Sequence, residues 1–242
     1  MDGVYASLCD VFEPCEVGTI IRSTSYPDYW RLNVLRVERE TDLGVEELTA
    51  LGDSALGDLE HRTIVFHLVA GGERLRSDFT AAGWHSTRLV WMRHELALSA
   101  GASAPVREVP AVAVRDLRRA WHAEDFDGRE LSNEFLAHAE EAGALRGARV
   151  MALHKAGVAV GYMQLERYGD GVEISEVFVH SDHRGLGRGT ALTRAAIEEA
   201  GDHSDLWICA DDEDRPKELY ARLGFRPAWT TMSFLRLPPN QN

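Results

Sequence analysis

Glu173-Ile-Ser-Glu-Val-Phe-Val-His-Ser-Asp-His-Arg-Gly-Leu-Gly-Arg-Gly-Thr-Ala-Leu192 reads as a strand, a glycine-rich loop and the start of a helix. Glycines at 185, 187 and 189 let the main chain bend tightly and come close to a ligand. The unpaired N–H groups and positive dipole end of the following helix then face an anion, and Arg184 and Arg188 add charge at the rim. Such a loop suits a phosphate. Two other folds use glycine loops for the same purpose. A Walker loop needs Gly-Lys-Ser/Thr, and no lysine stands here. A dinucleotide fold places its loop after the first strand of a parallel unit; here three antiparallel-looking strands come first.

Working outward, Val106–Val114 is strand-like, with Pro110 placing it at an edge or interrupting it. Helices are expected over Asp116–Asp125 and Gly128–Leu145, the second with Leu131, Phe135, Leu136 and Ala139 on one face. Strands Ala148–His154 and Val158–Glu166 flank the turn Lys155-Ala156-Gly157, and Val172–His180 leads into the loop. Beyond it come a helix over Thr190–Ala200, a strand at Leu206–Ala210, a helix from Asp214 to Leu223 capped by Gly224, and strands near Thr230–Leu237.

The run Ser99-Ala-Gly-Ala-Ser-Ala-Pro105 has little to pack and reads as a linker, giving domains 1–98 and 106–242. The two parts share a plan. Thr63–Ala70, a helical run ending Phe79-Thr-Ala-Ala-Gly83-Trp84, and Arg88–Met92 lie over Leu206–Ala210, Tyr220-Ala-Arg-Leu-Gly224-Phe225 and Thr231–Leu235, with Gly83 and Gly224 offset by 224 − 83 = 141 residues. Where the second part has its glycine loop, the first has Glu40-Thr-Asp-Leu-Gly-Val-Glu-Glu47, with four acids and no arginine. That segment is unfit for phosphate.

The net charge of −13 repels a polyanion, so nucleic acid is not an expected partner, whereas a cationic small molecule or basic peptide is compatible with it. No stretch has the apolar length of a membrane span, and Met1-Asp2-Gly3-Val4 does not open a signal peptide, so a cytoplasmic protein is expected. Cys9, Cys15 and Cys209 include no CxxC pair, and no metal is expected.

Arg184-Gly185-Leu186-Gly187-Arg188-Gly189 resembles the hallmark of the GNAT superfamily of N-acetyltransferases, Gln/Arg-x-x-Gly-x-Gly/Ala after the fourth strand. Leu219-Tyr220-Ala-Arg-Leu-Gly224-Phe225 is similar to that family's later signature, Leu-Tyr-x-x-x-Gly-Phe. The resemblance covers about residues 106–237, and the repeat makes the whole chain look like a tandem arrangement with a degenerate N-terminal copy. It implies an α/β (α+β) fold with a mixed, mostly antiparallel sheet flanked by helices. It also implies an acyltransferase that moves an acetyl group from acetyl-CoA, its co-substrate, to an amine of a small molecule or peptide. Attack would be direct, in a ternary complex. A non-catalytic acyl-CoA-binding or sensing module is the alternative. A tandem chain favours a monomer over the homodimer of single-domain relatives.

The resemblance further implies site residues. The strand Val177, Phe178 and Val179 would pair with the pantetheine arm, an amide there polarising the thioester carbonyl. Arg184, Gly185, Leu186, Gly187, Arg188, Gly189 and Thr190 would hold the pyrophosphate. Tyr220 would protonate the departing thiolate, or else pack in the core as Phe79 does in the other part. The attacking ammonium must lose a proton first, and Glu176 on the cofactor strand is the first choice of acceptor, with Glu173 second. One departure stands out: the asparagine many members carry after the fifth strand is replaced here by Asp211-Asp-Glu-Asp214. Asp214 reads as a helix cap, or the four acids attract a cationic acceptor.

Overall fold

The computed structural model describes residues 7–96, 106–169, 171–201 and 205–237. It has a mixed α/β fold whose sheet strands are mostly antiparallel and flanked by helices. The chain forms two compact units, and these are not its two halves. Of the described residues, the first takes those up to Val90, Asp211–Glu213 and 229–237; the second takes those between Trp91 and Ala210 and Asp214–Ala228. The expected linker at 99–105 lies outside the described residues.

In the first unit, β1 (Val11–Pro14), β2 (Gly18–Arg22) and β3 (Val34–Val37) pair antiparallel, and β4 (Arg62–Phe66) lies parallel to β3. Helices α1 (Val45–Ala55) and α2 (Val69–Ala81) follow β3 and β4. The strand expected over Thr63–Ala70 is therefore shorter, because the main chain has turned into α2 by Val69. β5 (His85–His94) starts after Gly83, whose φ of 82° meets the sharp reversal at the helix end.

What makes this unit close is the last strand of the chain. β11 (Phe225–Arg236) pairs antiparallel with β4, from Met232 opposite Phe66 to Arg236 opposite Arg62. Met232 and Phe234 are fully buried among Leu35, Ile64, Phe66, Leu75 and Phe79. Phe234 stacks on Phe79 with ring centroids 4.1 Å apart and meets Phe66 edge-on at 5.8 Å. This burial explains why a division at 99–105 does not describe the compact units: the apolar face of α2 is covered by residues far along the chain. The acids of the Asp211–Glu213 turn are also engaged there. Glu213 pairs with both terminal nitrogens of Arg76, and Asp212 with Arg88 at 2.7 Å. Two of the four acids therefore have arginine partners within the protein.

The second unit has the strand order β5-β10-β9-β8-β7-β6, where β5 contributes its end from Trp91. β6 (Val106–Val109) stops before Pro110, which lacks an N–H for the ladder, and Ala111–Val114 form a 3-10 turn rather than more strand. α3 (Arg115–Asp125) follows. α4 (Asn133–Leu145) begins later than expected, at the cap where Ser132 accepts the Phe135 N–H, and buries Leu136, Ala139, Ala142 and Gly143. β7 (Arg149–Lys155) and β8 (Val158–Tyr168) meet in a two-residue hairpin, with Ala156 and Gly157 both at positive φ. β9 (Gly171–Val179) is antiparallel to β8, and β10 (Leu206–Asp211) is parallel to β9. α5 (Arg188–Ala200) joins these two strands, and α6 (Pro216–Arg222) leads from β10 to β11. The cap of α6 is Arg215 with Pro216 at the first helical position, one residue later than the Asp214 cap expected from the sequence. Among the described residues, no helix is long and apolar enough to cross a membrane.

Gly72 on α2 has a packing role in the first unit. A Cβ added there would stand 2.5 Å from Met232 Cβ and 3.3 Å from Phe66 Cβ. Gly72→Ala should therefore lower the urea-derived stability of the protein by about 1–3 kcal/mol, the usual cost of overpacking. A more stable variant, as helix propensity alone would give, would contradict the packing of β11 on α2.

Candidate active site

The site is built where β9 parts from β10. Their parallel ladder runs from Leu206 opposite Val172 to Ile208 opposite Ile174. Beyond it, Val177, Phe178 and Val179 line a cleft of about 840 Å³, with α6 contributing Pro216, Glu218, Leu219, Tyr220 and Arg222. On its other side β9 stays paired to β8, but not evenly. Tyr162 faces Phe178 and Gln164 faces Ser175, so Glu176 and Val177 together stand against Met163. This is a β-bulge, and Glu176 adopts φ 52°, a left-handed backbone that costs a side-chain-bearing residue about 1–2 kcal/mol.

The glycine loop closes the cleft at the start of α5. Gly187, at φ 73°, is the N-cap, and Gly185 sits at φ 76°. The first main-chain bond of the helix runs from Ala191 N–H to Gly187 O at 2.9 Å. Helix geometry leaves the N–H groups of Arg188, Gly189 and Thr190 without intrahelical acceptors, and all three residues line the cleft. No acid occupies the first turn. Gly189 also lets α6 come close, since a Cβ there would lie 3.3 Å from Leu219 Cδ1.

Both loop arginines help shape the loop. Arg184 Nε donates to Val179 O at 2.8 Å, its guanidinium pairs with Glu124 of α3, and it lies 5.4 Å from the Phe178 ring centre. Arg188 donates to His183 O at 2.9 Å. They tie the loop to the strand it follows and still border the cleft.

Of the residues singled out from the sequence, Val177, Phe178, Val179, Arg184, Gly185, Gly187, Arg188, Gly189, Thr190 and Tyr220 all line this one cleft. Leu186 does not; its side chain points to solvent at 68% exposure. Glu176 is not among the lining residues either, and its carboxylate is paired with Arg118. Glu173 is buried at 4% exposure and also lies off the cleft. Tyr220 is buried but reaches the cleft wall. Burial, with Cys209 and Asp214 nearby, pushes its phenol well above the ordinary value, so it keeps its proton at neutral pH.

Trp121, Arg215 and Arg222 also line the cleft, beside Glu124, Asp125, Thr193 and Asp214, and the sequence does not single the three out as site residues. Trp121 stacks near-parallel on Phe178 at 6.0 Å. Its position beside a later strand is a long-range contact that no local pattern carries. Arg222 lies within the Leu219–Phe225 signature itself, as one of its variable positions.

Residues 146–227 match the family model described as "Acetyltransferase (GNAT) domain". That match covers about a third of the chain. A mycothiol acetyltransferase of Stackebrandtia nassauensis is 37% identical over 81 residues, which are 28% of this chain and 26% of that protein, so the match spans about a quarter of the relative. A functionally unknown conserved protein of Staphylococcus epidermidis superposes with a TM-score of 0.71 at 14% identity, over 96% of this chain and 95% of that one. A GCN5-related N-acetyltransferase-like protein of Streptococcus suis gives 0.57 at 11% identity, over 97% and 92%. At these identities the two structures speak for the fold.

The left-handed glycine at the helix cap gives a direct test of the loop as a binding element. Gly187→Val should weaken coenzyme A binding at least about tenfold by calorimetry, because a branched side chain is strained at positive φ and would shift the first-turn amides. Unchanged affinity in a folded variant would remove the loop from the binding site.

Proposed function

We propose that the protein is an acetyl-CoA-dependent N-acetyltransferase acting on an amine of a small molecule or peptide. The observation that carries this reading is the convergence of three elements on one cleft: the freed edge of β9, the unpaired amides of α5 and the buried phenol of Tyr220.

Each element has a chemical task. The Val177–Val179 edge offers main-chain groups that an extended pantetheine arm can pair with, as an added strand does. An amide N–H on that edge strengthens its hydrogen bond as the thioester carbonyl gains negative charge, which lowers the barrier to attack. Arg188, Gly189 and Thr190 N–H groups hold the diphosphate, and Arg215 and Arg222 supply positive charge from the α6 side. Tyr220 gives its proton to the leaving thiolate as the tetrahedral adduct collapses. The amine attacks the bound thioester directly, without an acetyl-enzyme; Cys209 does not line the cleft.

The first unit serves in this reading as a degenerate copy. It repeats the order strand, loop, helix, parallel strand, helix, strand. At the start of α1, however, Glu47 accepts the Gly44 N–H at 2.7 Å, and Glu46 and Glu47 occupy the first turn. A phosphate would meet its own charge there. Thiol-precursor amines are the first acceptors to try, beside polyamines, amino acids and peptide N-termini, since one similar protein is named a mycothiol acetyltransferase.

Release of free coenzyme A thiol from acetyl-CoA should depend on one class of amine in such a panel. With that acceptor, Tyr220→Phe should lower kcat by about 10²–10⁴-fold while leaving acetyl-CoA affinity unchanged, the usual worth of a positioned acid. Because burial raises the phenol pKa above 10, the wild-type kcat should show no alkaline decline from this group below pH 10. Full turnover in the variant would assign Tyr220 to the core, and silence of the wild type with every amine would favour an acyl-CoA-binding module.

A further inference from the structure

The β9 bulge is framed by a single guanidinium. Arg118 on α3 has a side chain only 5% exposed. Its Nε and Nη2 each lie 3.0 Å from Glu176 Oε2, and Nη2 donates to Gln164 Oε1 at 2.9 Å. The Tyr162 ring lies beneath it, 5.7 Å from the guanidinium carbon. Tyr162 and Gln164 are the β8 residues on either side of the register shift, and Glu176 is the residue that makes it. Arg118 therefore touches all three residues that define the bulge. Glu140 of α4, 3.9 Å from Arg118 Nη1 and paired bidentately with Arg115, adds a second carboxylate behind the guanidinium.

Glycine would occupy φ 52° without strain, so a glutamate there calls for a reason. Its ion pair supplies one. Resting on the acyl-transfer reading above, we propose that Arg118 is a positioning residue and Glu176 its counter-ion. Together they pin the bulge that turns the Val177–Val179 main chain into the cleft, and the amine's proton passes to solvent water rather than to Glu176. Two further observations agree: Glu176 is absent from the cleft lining, and Trp121, one turn beyond Arg118 on α3, stacks on Phe178 and borders the cleft. One helix thus fixes β9 on both sides of Val177.

The test compares R118M, R118K, E176G, E176Q and the double variant R118M/E176G, reading coenzyme A affinity by calorimetry and the kcat–pH profile with the accepted amine. R118M should weaken coenzyme A about tenfold and lower kcat/KM further, since it strands a half-buried carboxylate at a strained residue. E176G should hold kcat within about fivefold and keep the wild-type pH profile, because glycine adopts the bulge unaided. Adding E176G to R118M should recover at least about fivefold of the lost affinity, a coupling expected of residues in direct contact. A double variant no better than R118M overturns the proposal. So does a loss of about 10²-fold or more in kcat for both E176G and E176Q at unchanged coenzyme A affinity, which would make Glu176 the proton acceptor. If R118M does not fold, R118K takes its place: it should lose affinity by a smaller factor for want of the two-stranded contact, and wild-type affinity would overturn the pinning role. A wild type that acetylates no amine would defeat the acyl-transfer reading alone, since the affinities of these variants would still decide whether Arg118 holds the bulge.

Discussion

The N–H groups of Arg188, Gly189 and Thr190 have no acceptor within α5, and the cleft depends on that deficit. Everything around them keeps it open. Gly187 turns the chain into the helix with a backbone conformation that other residues resist, and the first turn carries no carboxylate to fill the gap. The start of α1 in the first unit shows the opposite outcome, with Glu47 bonded to the Gly44 N–H and two acids in the first turn. The same element order can therefore end in an anion socket or in a self-satisfied helix, according to a few residues.

In the proposed reading, a socket for the diphosphate needs a track for the arm that follows it. That track arises because β9 and β10 pair over only three residues on each strand before parting. The bulge at Glu176 then rotates the β9 main chain at the point of divergence. Strained backbone at a site of this kind persists only where its surroundings over-determine it. Arg118 and Gln164 supply that constraint from α3 and β8, and the Trp121–Phe178 stack adds another one turn along.

Much of this was legible in the chain itself. The glycine spacing at 185, 187 and 189 and the run Leu219–Phe225 pointed to two walls of one cleft, because both features are local and tied to backbone geometry. What escaped were long-range pairings. Glu176 reads from sequence as a free carboxylate on the cofactor strand, and only the fold reveals its arginine 58 residues earlier. Arg118 in turn looks like one more charge in the run Arg115-Asp-Leu-Arg-Arg119, although the helix turns it inward. The make-up of the compact units is long-range in the same way: Met232 and Phe234 cover α2, and no local signal says which strands a terminal strand will join.

Hydrogen–deuterium exchange with and without coenzyme A addresses the central claim most directly, because it reads the amides themselves. The expected result is slower exchange at residues 188–190 and along 177–179, with the first turn of α1 unaffected. Unchanged exchange at 188–190 in the presence of saturating coenzyme A would contradict the socket on which the account rests.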